Sequence, residues 1–259
     1  MIEQLIALPS VSSTQAKIDT SNQVVIDCLA NWLNDLGFHI EVIPNSGPQS
    51  FNNPKANLIA TLGEGDEGLV LSGHTDTVNF DQTGWHTDPF AATQKDNKLY
   101  GLGTADMKSF LALAIEAAKE FTKKDLKQRL TIIATADEES TMQGAKTLVE
   151  TVRDRYQKLG SYCIIGEPTD LTPVYQHKGV MMEAIKLTGQ SGHSSDPHLG
   201  SIALDGMRLV LIELDHFKQE LANKYINPTE YAGIVIYILI YAPYLVWKLM
   251  CLEKSFANE

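Results

Sequence analysis

The sequence predicts an α/β domain followed by the beginning of a second, smaller domain. Short apolar strands recur at 38–43, 57–62, 68–73, 130–136 and 162–165, and helix-spaced apolar residues occur at 1–8, 19–36, 107–124 and 143–158. Strands that alternate with helices are typical of an α/β domain. Near residue 175 the pattern changes to a strand at 179–187, a loop rich in Gly, Ser and His, and a helix at about 201–224, which indicates a new domain.

The helices and the main loop are predicted from spacing and from breaker residues. The helix at 19–36 ends before Gly37, a residue that commonly follows a helix. Its helix-spaced apolar residues are Val24, Val25, Cys28, Leu29, Trp32, Leu33 and Leu36. The predicted buried face of the helix at 107–124 is Met107, Phe110, Leu111, Ala114, Ala118 and Phe121. Asn, Pro, Ser and Gly cluster at 44–54 and predict a long surface loop.

Composition excludes some partners and favours others. The chain has 259 residues, of which 44% are hydrophobic, enough for a substantial core. Its formal net charge of -11 argues against a nucleic-acid partner, because nucleic-acid binders concentrate Lys and Arg. A metal or a small cationic ligand fits this sign, although acidity for solubility alone is also common.

Cysteine usage and the N-terminus indicate a reducing compartment. The three cysteines, Cys28, Cys163 and Cys251, are far apart and form neither a disulfide framework nor a thiolate zinc site. The N-terminal residues include an acidic Glu3 and too short an apolar run for a secretory signal. We therefore expect a cytoplasmic protein.

The strand predicted at 68–73 is followed by a histidine and an aspartate, His74 and Asp76. Side chains two residues apart on an extended chain point the same way, so the two groups share one location. Such a pair is compatible with a proton shuttle, with a metal ligand and its orienting partner, or with a solvated strand end. The pair alone does not decide among these three.

Four further carboxylates lie at the ends of predicted elements. Asp106 opens the helix at 107–124, Glu138 and Glu139 follow the strand at 130–136, and Glu167 follows the strand at 162–165. Taken singly, Asp106 fits a helix N-cap and the glutamates fit solvated turns. In an open α/β sheet, however, groups beyond the carboxyl ends of neighbouring strands converge on one crevice.

Carboxylates gathered in one crevice repel one another unless cations lie between them. Two divalent ions would supply that charge, with Asp106 in a position to bridge them. A histidine with Asp and Glu ligands suits zinc, or cobalt or manganese in its place, in an open catalytic site. The sequence therefore predicts metal-assisted hydrolysis.

Five motifs resemble the di-zinc family that comprises aminoacylase, carboxypeptidase G and succinyl-diaminopimelate desuccinylase. They are Ser-Gly-His-Thr-Asp-Thr-Val, Leu-Tyr-Gly-Leu-Gly-Thr-Ala-Asp-Met-Lys, Ala-Asp-Glu-Glu, Ile-Gly-Glu-Pro-Thr and Gly-Gln-Ser-Gly-His-Ser-Ser-Asp-Pro. The resemblance covers about residues 1–225. It implies a mixed sheet flanked by helices, of the di-zinc exopeptidase type, then a small α+β ferredoxin-like dimerisation domain, and it implies hydrolysis of an N-acyl amino acid.

The resemblance also implies residue roles. His74, Asp106, Glu139 and Glu167 would bind two zinc ions, with Asp106 bridging them and Asp76 orienting His74. Glu138 resembles the general base that takes a proton from the attacking water. His193 resembles the histidine that reaches the neighbouring subunit's site and stabilises the oxyanion, so that a homodimer is implied.

The chain departs from the family pattern after about residue 226. Family members continue through the small domain and supply a last metal-binding histidine, whereas the last histidine here is His216. We therefore expect a catalytic domain at 1–175, a partial dimerisation domain at 176–226 and an aberrant tail at 227–259, with weak activity. The apolar stretch 231–252 is compatible with a membrane span by length, but Pro243 and Lys248 favour a non-membrane tail.

Overall fold

The computed structural model describes residues 1–45, 53–153, 159–175, 180–181, 185–193, 195–224, 233–234, 238–242 and 245–249. The chain divides into two compact units, Met1–Leu171 and Thr172–Glu259. The first unit contains the elements that carry most of the candidate site residues.

A five-stranded mixed sheet forms the centre of the first unit. Its strands are β1 (His39–Pro44), β2 (Ala56–Leu62), β3 (Leu69–His74), β6 (Leu130–Thr135) and β7 (Tyr162–Ile165). Their order across the sheet is β1-β2-β6-β3-β7. The pairs β1–β2 and β2–β6 are antiparallel, whereas β3 runs parallel to both β6 and β7. The carboxyl ends of β6, β3 and β7 therefore lie at one edge.

Helices cover both faces of this sheet. They are α1 (Ile2–Ile6), α2 (Gln23–Asp35), α3 (Lys108–Ala118) and α4 (Gln143–Arg153). In β2, Leu58 and Ala60 belong to the main core with α2 and α3, whereas Ile59 belongs to a smaller cluster with Val152 of α4. Burial on both faces explains why β2 is a continuous apolar run. The predicted α/β fold, a mixed sheet flanked by helices, is confirmed.

The helix predicted at 107–124 is shorter in the structure. It ends at Ala118, and Phe121, predicted to be buried, is 50% exposed. After the helix, Asp125 Oδ2 accepts hydrogen bonds from both the main-chain N–H and the hydroxyl of Thr122, each at 2.7 Å. Local side-chain hydrogen bonds of this kind compete with helix continuation, and residue spacing alone does not reveal them.

A hairpin that the apolar pattern did not predict follows β3. Its strands are β4 (Thr93–Lys95) and β5 (Lys98–Tyr100), and Asp96 and Asn97 form the turn with φ of 51° and 58°. Asp and Asn tolerate this left-handed conformation better than most residues, and two-residue hairpin turns require it. The adjacent Asp96 and Asn97 are therefore the feature of the sequence that could have predicted this turn.

The second unit contains a long helix and short strands. The elements are β8 (Val180–Met181), α5 (Ala203–Lys224), β9 (Gly233–Ile234), β10 (Ile238–Ala242) and β11 (Leu245–Leu249). Of the predicted strand at 179–187, Val180–Met181 forms β8, residues 185–187 are not in a strand, and 179 and 182–184 lie outside the described residues. Within the apolar stretch 231–252, β10 pairs with β11 in antiparallel orientation. No described helix has the length and apolar character needed to cross a membrane.

Parts of further predicted segments also fall outside the described residues: 46–52 of the loop, 154–158 of the fourth helix, and 227–232, 235–237, 243–244 and 250–259 of the tail. The division into domains at 1–175, 176–226 and 227–259 and the ferredoxin-like character of the second remain predictions.

Candidate metal centre

The site lies where three neighbouring parallel strands end. His74, the last residue of β3, pairs with Thr135, the last residue of β6. On the other side of β3, Ser72 pairs with Ile165 of β7. The segments that leave these strands carry Asp76, Glu138, Glu139 and Glu167. Parallel pairing therefore brings residues that are distant in sequence to one edge of the sheet.

The imidazole of His74 is buried, with 1% of its surface exposed, and both ring nitrogens have partners. Nδ1 lies 2.9 Å from the main-chain oxygen of Asp76, and because a carbonyl oxygen can only accept, Nδ1 donates. Nε2 lies 2.9 Å from Asp106 Oδ1. This arrangement leaves Nε2 as the ring atom that faces the carboxylates and can bind a metal.

Asp76 is buried and contacts two parts of the site. Its main-chain oxygen holds His74, while its carboxylate Oδ1 is 3.6 Å from His74 Nδ1. The two carboxylate oxygens accept hydrogen bonds from the main-chain N–H groups of Glu138 and Glu139, at 3.2 and 3.1 Å. Asp76 therefore holds the turn after β6 as well as the imidazole.

Asp106 faces His74 instead of capping the helix that follows. The N-cap residue of α3 is Met107, and no side chain caps this helix end. The peptide bond between Asp106 and Met107 is cis. The carboxylate of Asp106 is 47% exposed, so it contacts the buried imidazole on one side and solvent on the other.

Two of the three glutamates lie near the same imidazole nitrogen, and the third belongs to a candidate ligand set with His74. Glu138 Oε2 and Glu167 Oε1 lie 3.9 and 4.0 Å from His74 Nε2. Two sets of possible ligand atoms each lie within 4.8 Å of one another: His74, Asp106 and Glu167 in one, and His74, Glu138 and Glu139 in the other. The two sets share His74, whose Nε2 can bind only one ion, so they are alternative ligand sets for an ion at this nitrogen.

Burial and mutual repulsion shift the pKa values of these groups. Burial lowers the pKa of His74, but the hydrogen bond with Asp106 and the charges of the surrounding carboxylates outweigh burial and raise the pKa to about 9. Burial and the negative charge of Asp106 raise the pKa of Glu139 to about 7. Burial also raises the pKa of Glu167. The site therefore concentrates negative charge around one imidazole.

The donor set fits a divalent metal. One neutral imidazole nitrogen with carboxylate oxygens suits zinc, manganese or cobalt, and the candidate groups contain no thiolate. A divalent cation would also relieve the repulsion that raises the pKa of Glu139. The side chains of Asp106, Glu138 and Glu167 are partly exposed, so this face of the site is open to solvent.

His193 belongs to the second unit. Its side chain is exposed, and its Nδ1 lies 2.7 Å from the hydroxyl oxygen of Ser195. The role that the sequence predicts for His193 remains a prediction.

Sequence reasoning missed a buried ionic cluster next to the site. Lys55, at the start of β2, contacts both Asp19 and Asp137, and Asp137 immediately precedes Glu138. A lysine that follows a Pro-containing loop is ordinarily solvent-exposed, so Lys55 carried no signal in the sequence. The Ala-Asp-Glu-Glu motif contains Asp137, but the sequence predicts roles only for its two glutamates.

The strand-end histidine and carboxylates define an α/β protein with an open, carboxylate-rich candidate metal centre. Within this class, the chain belongs to peptidase family M20/M25/M40, whose family model matches residues 70–232. All candidate site residues lie within the match: His74, Asp76, Asp106, Glu138, Glu139, Glu167 and His193. The family is metal-dependent.

Curated relatives carry the name acetylornithine deacetylase. The protein from Proteus mirabilis (strain HI4320) is 48% identical over 228 residues, which cover 88% of this chain and 57% of the relative. The protein from Pasteurella multocida (strain Pm70) is 48% identical over 225 residues, covering 87% and 57%. The chain thus spans about 57% of the length of these relatives. The family resemblance that the motifs indicate is confirmed.

Solved structures are similar in fold. Human carnosine dipeptidase 1 superposes with a TM-score of 0.54 at 27% identity, over 63% of this chain and 37% of that chain. A tripeptidase from Staphylococcus aureus superposes with a TM-score of 0.53 at 17% identity, over 79% and 52%. At 17% identity the similarity concerns the fold alone.

Proposed function

We propose that this chain forms the metal-binding part of a hydrolase that converts N2-acetyl-L-ornithine to L-ornithine and acetate. The supporting observation is that His74 Nε2 lies close to carboxylate oxygens from three separate segments. Identity of 48% with curated acetylornithine deacetylases supports this substrate. The motifs at 84–90 (Gly-Trp-His-Thr-Asp-Pro-Phe) and 193–197 (His-Ser-Ser-Asp-Pro) also resemble that enzyme. The reaction would belong to arginine biosynthesis, in the cytoplasm.

The proposed roles divide the site between metal binding and proton transfer. His74, Asp106, Glu139 and Glu167 would hold two zinc ions. Zinc, when bound, supplies a Lewis acid that activates water and polarises the amide carbonyl, and cobalt or manganese can replace it. Glu138 takes a proton from the attacking water and transfers it to the leaving amine.

Two further residues support this chemistry. The main-chain oxygen of Asp76 orients His74, so that Nε2 faces the carboxylates. We assign His193 to stabilisation of the oxyanion in the site of a second copy of the chain, which makes a homodimer the working form. An exposed side chain in a loop suits a group that acts on a partner.

A second candidate is a related amide hydrolase, such as a dipeptidase or a succinyl-diaminopimelate desuccinylase. The similarity in fold to human carnosine dipeptidase 1, at 27% identity, favours the dipeptidase among these. A third candidate is a metal-binding fragment without turnover. The candidate ligand sets of the described residues contain only one histidine, so one ion would be held by carboxylates alone. We therefore expect weak turnover.

The test uses the 259-residue chain, stripped of metal with a chelator and reloaded with Zn²⁺ or Co²⁺. Release of acetate from N2-acetyl-L-ornithine is compared with hydrolysis of N-succinyl-L,L-diaminopimelate and of β-alanyl-histidine. We expect metal-dependent deacetylation to be the fastest of the three reactions. Faster cleavage of the dipeptide would favour the second candidate, and metal binding without any hydrolysis would favour the third.

A further inference from the structure

We propose that Lys55 and Asp137 form a positioning pair that holds the turn at residues 137–142, so that Glu138 and Glu139 face His74. This inference rests on the proposed function, because the value of that orientation lies in metal binding and proton transfer by the two glutamates. The pair touches neither substrate nor metal in this scheme. It acts through the main chain that it fixes.

Lys55 is held in place by two carboxylates. Its side chain is 6% exposed, and its Nζ lies 2.6 Å from Asp19 Oδ1 and in direct contact with Asp137 Oδ1. A buried ammonium group is unfavourable unless it is paired. Burial lowers the pKa of Lys55, but the hydrogen bonds to Asp137 and Asp19 outweigh burial and raise the pKa. Lys55 therefore remains charged and ties two segments together.

Asp137 receives hydrogen bonds from several directions. Besides Lys55, its carboxylate accepts from the hydroxyl of Ser12 at 2.9 Å and from Nδ2 of Asn45 at 3.4 Å. Its φ of 60° lies in the left-handed region, and its main-chain oxygen accepts from the N–H of Met142 at 2.7 Å. The side chain of Asp137 is thus fixed at the residue where the main chain turns away from β6.

The same turn is also held by Asp76. The carboxylate of Asp76 accepts the N–H groups of Glu138 and Glu139. The side chain of Glu138 is itself 39% exposed, so burial does little to fix its direction. The main chain of this turn is thus held both at the N–H groups of Glu138 and Glu139 and through the side chain of Asp137, and these anchors set the direction in which the two glutamates leave the main chain.

The test compares Asp137→Asn with a matched control, Asp19→Asn. Each change removes one carboxylate from Lys55, and the two aspartates are equally buried, at 8% exposed. The carboxylate of Asp19 accepts hydrogen bonds from Ser13, Asn53 and Lys55, none of which lies in the turn at 137–142, so we expect Asp19→Asn to keep the Lys55–Asp137 contact. Lys55→Met serves as the second variant, because it removes the shared cation and keeps an apolar chain of similar length.

Two quantities are measured on the full chain. Amide hydrogen exchange at Glu138 and Glu139 is followed by NMR in the metal-free protein, and zinc affinity is measured by competition with a chromogenic chelator. We expect Asp137→Asn and Lys55→Met to speed exchange at both amides about tenfold or more. We expect zinc affinity to fall about 10- to 100-fold, as for loss of groups that orient metal ligands. Asp19→Asn is expected to change either quantity by less than about threefold.

A merely structural role gives a different result. In that case Asp137→Asn and Asp19→Asn would lower the free energy of unfolding by similar amounts. Hydrogen exchange at Glu138 and Glu139 and the zinc affinity would stay unchanged. This result would overturn the proposal. Equal effects of the two variants on exchange would also overturn it. If the parent protein binds no zinc but Asp137→Asn and Lys55→Met still speed exchange at these amides, the positioning pair is supported and the proposed function is rejected. The two inferences therefore fail separately.

Discussion

His74 Nε2 and Asp106 Oδ1 lie 2.9 Å apart, although 32 residues separate them in the chain. The contact joins the end of β3 to the segment that leads into α3. Both residues would be ligands under the proposed function, so their separation determines whether one ion can contact both.

Replacing Glu138 with Gln is expected to separate catalysis from metal binding. Gln keeps the size of the side chain but cannot accept a proton at neutral pH, so the rate of hydrolysis should fall about 100-fold or more. Zinc content, measured by atomic absorption, should stay near that of the parent. Glu116→Gln, on the exposed face of α3, is the control. Loss of zinc together with an unchanged rate per bound ion would assign Glu138 to metal binding instead.

Replacing Asp76 with Asn should weaken zinc binding. The main-chain oxygen that orients His74 remains, but an amide has only one acceptor oxygen, so one of the N–H groups of Glu138 and Glu139 loses its partner. We expect zinc affinity to fall about 10- to 100-fold. We also expect the free energy of unfolding to fall by about 1–3 kcal/mol, because a buried donor is left unpaired. Asp66→Asn, at an exposed site, is the control, and unchanged zinc affinity would contradict this reading of the turn.

Gly144, at the start of α4, is packed too closely for a side chain. A Cβ there would lie 2.1 Å from the main-chain oxygen of Ala136 and 2.7 Å from Oδ1 of Asn57. Gly144→Ala should therefore lower the free energy of unfolding by about 1–3 kcal/mol or more, measured by urea denaturation. Gly84→Ala, where nothing lies within 4 Å of the added Cβ, is the matched control. Equal stability of the two variants would be inconsistent with this packing.

The raised pKa of Lys55 predicts a loss of stability at high pH. A basic group whose pKa is higher in the folded state stabilises the fold below its unfolded pKa of about 10.4. That contribution disappears as the pH rises through the folded pKa. Urea denaturation of the metal-free parent and of Lys55→Met from pH 8 to pH 11.5 measures it. The stability difference between the two proteins should be constant near pH 8 and shrink towards pH 11.5; a constant difference throughout would contradict the ion pairing.

Much of the fold could be predicted because its signals are local. The apolar runs that became β2, β3, β6 and β7 and the spacing of α2 are properties of short segments, so periodicity identifies them. The hydrogen bonds between Thr122 and Asp125 that end α3 early, and the β4–β5 hairpin, depend on side-chain chemistry that periodicity does not record. Sheet order follows from long-range pairing, which no single segment specifies.

The sequence by itself determined which groups can serve the site. His74 ends β3, Glu138 and Glu139 follow β6, and Glu167 follows β7, and strand ends are visible in the sequence. Tertiary structure alone decided that Asp76 holds the turn of Glu138 and Glu139, and that Lys55 reaches Asp137 from 82 residues away. The physical reason is that a buried charge is stable only beside its partner, and the partner is chosen by how the chain folds in space.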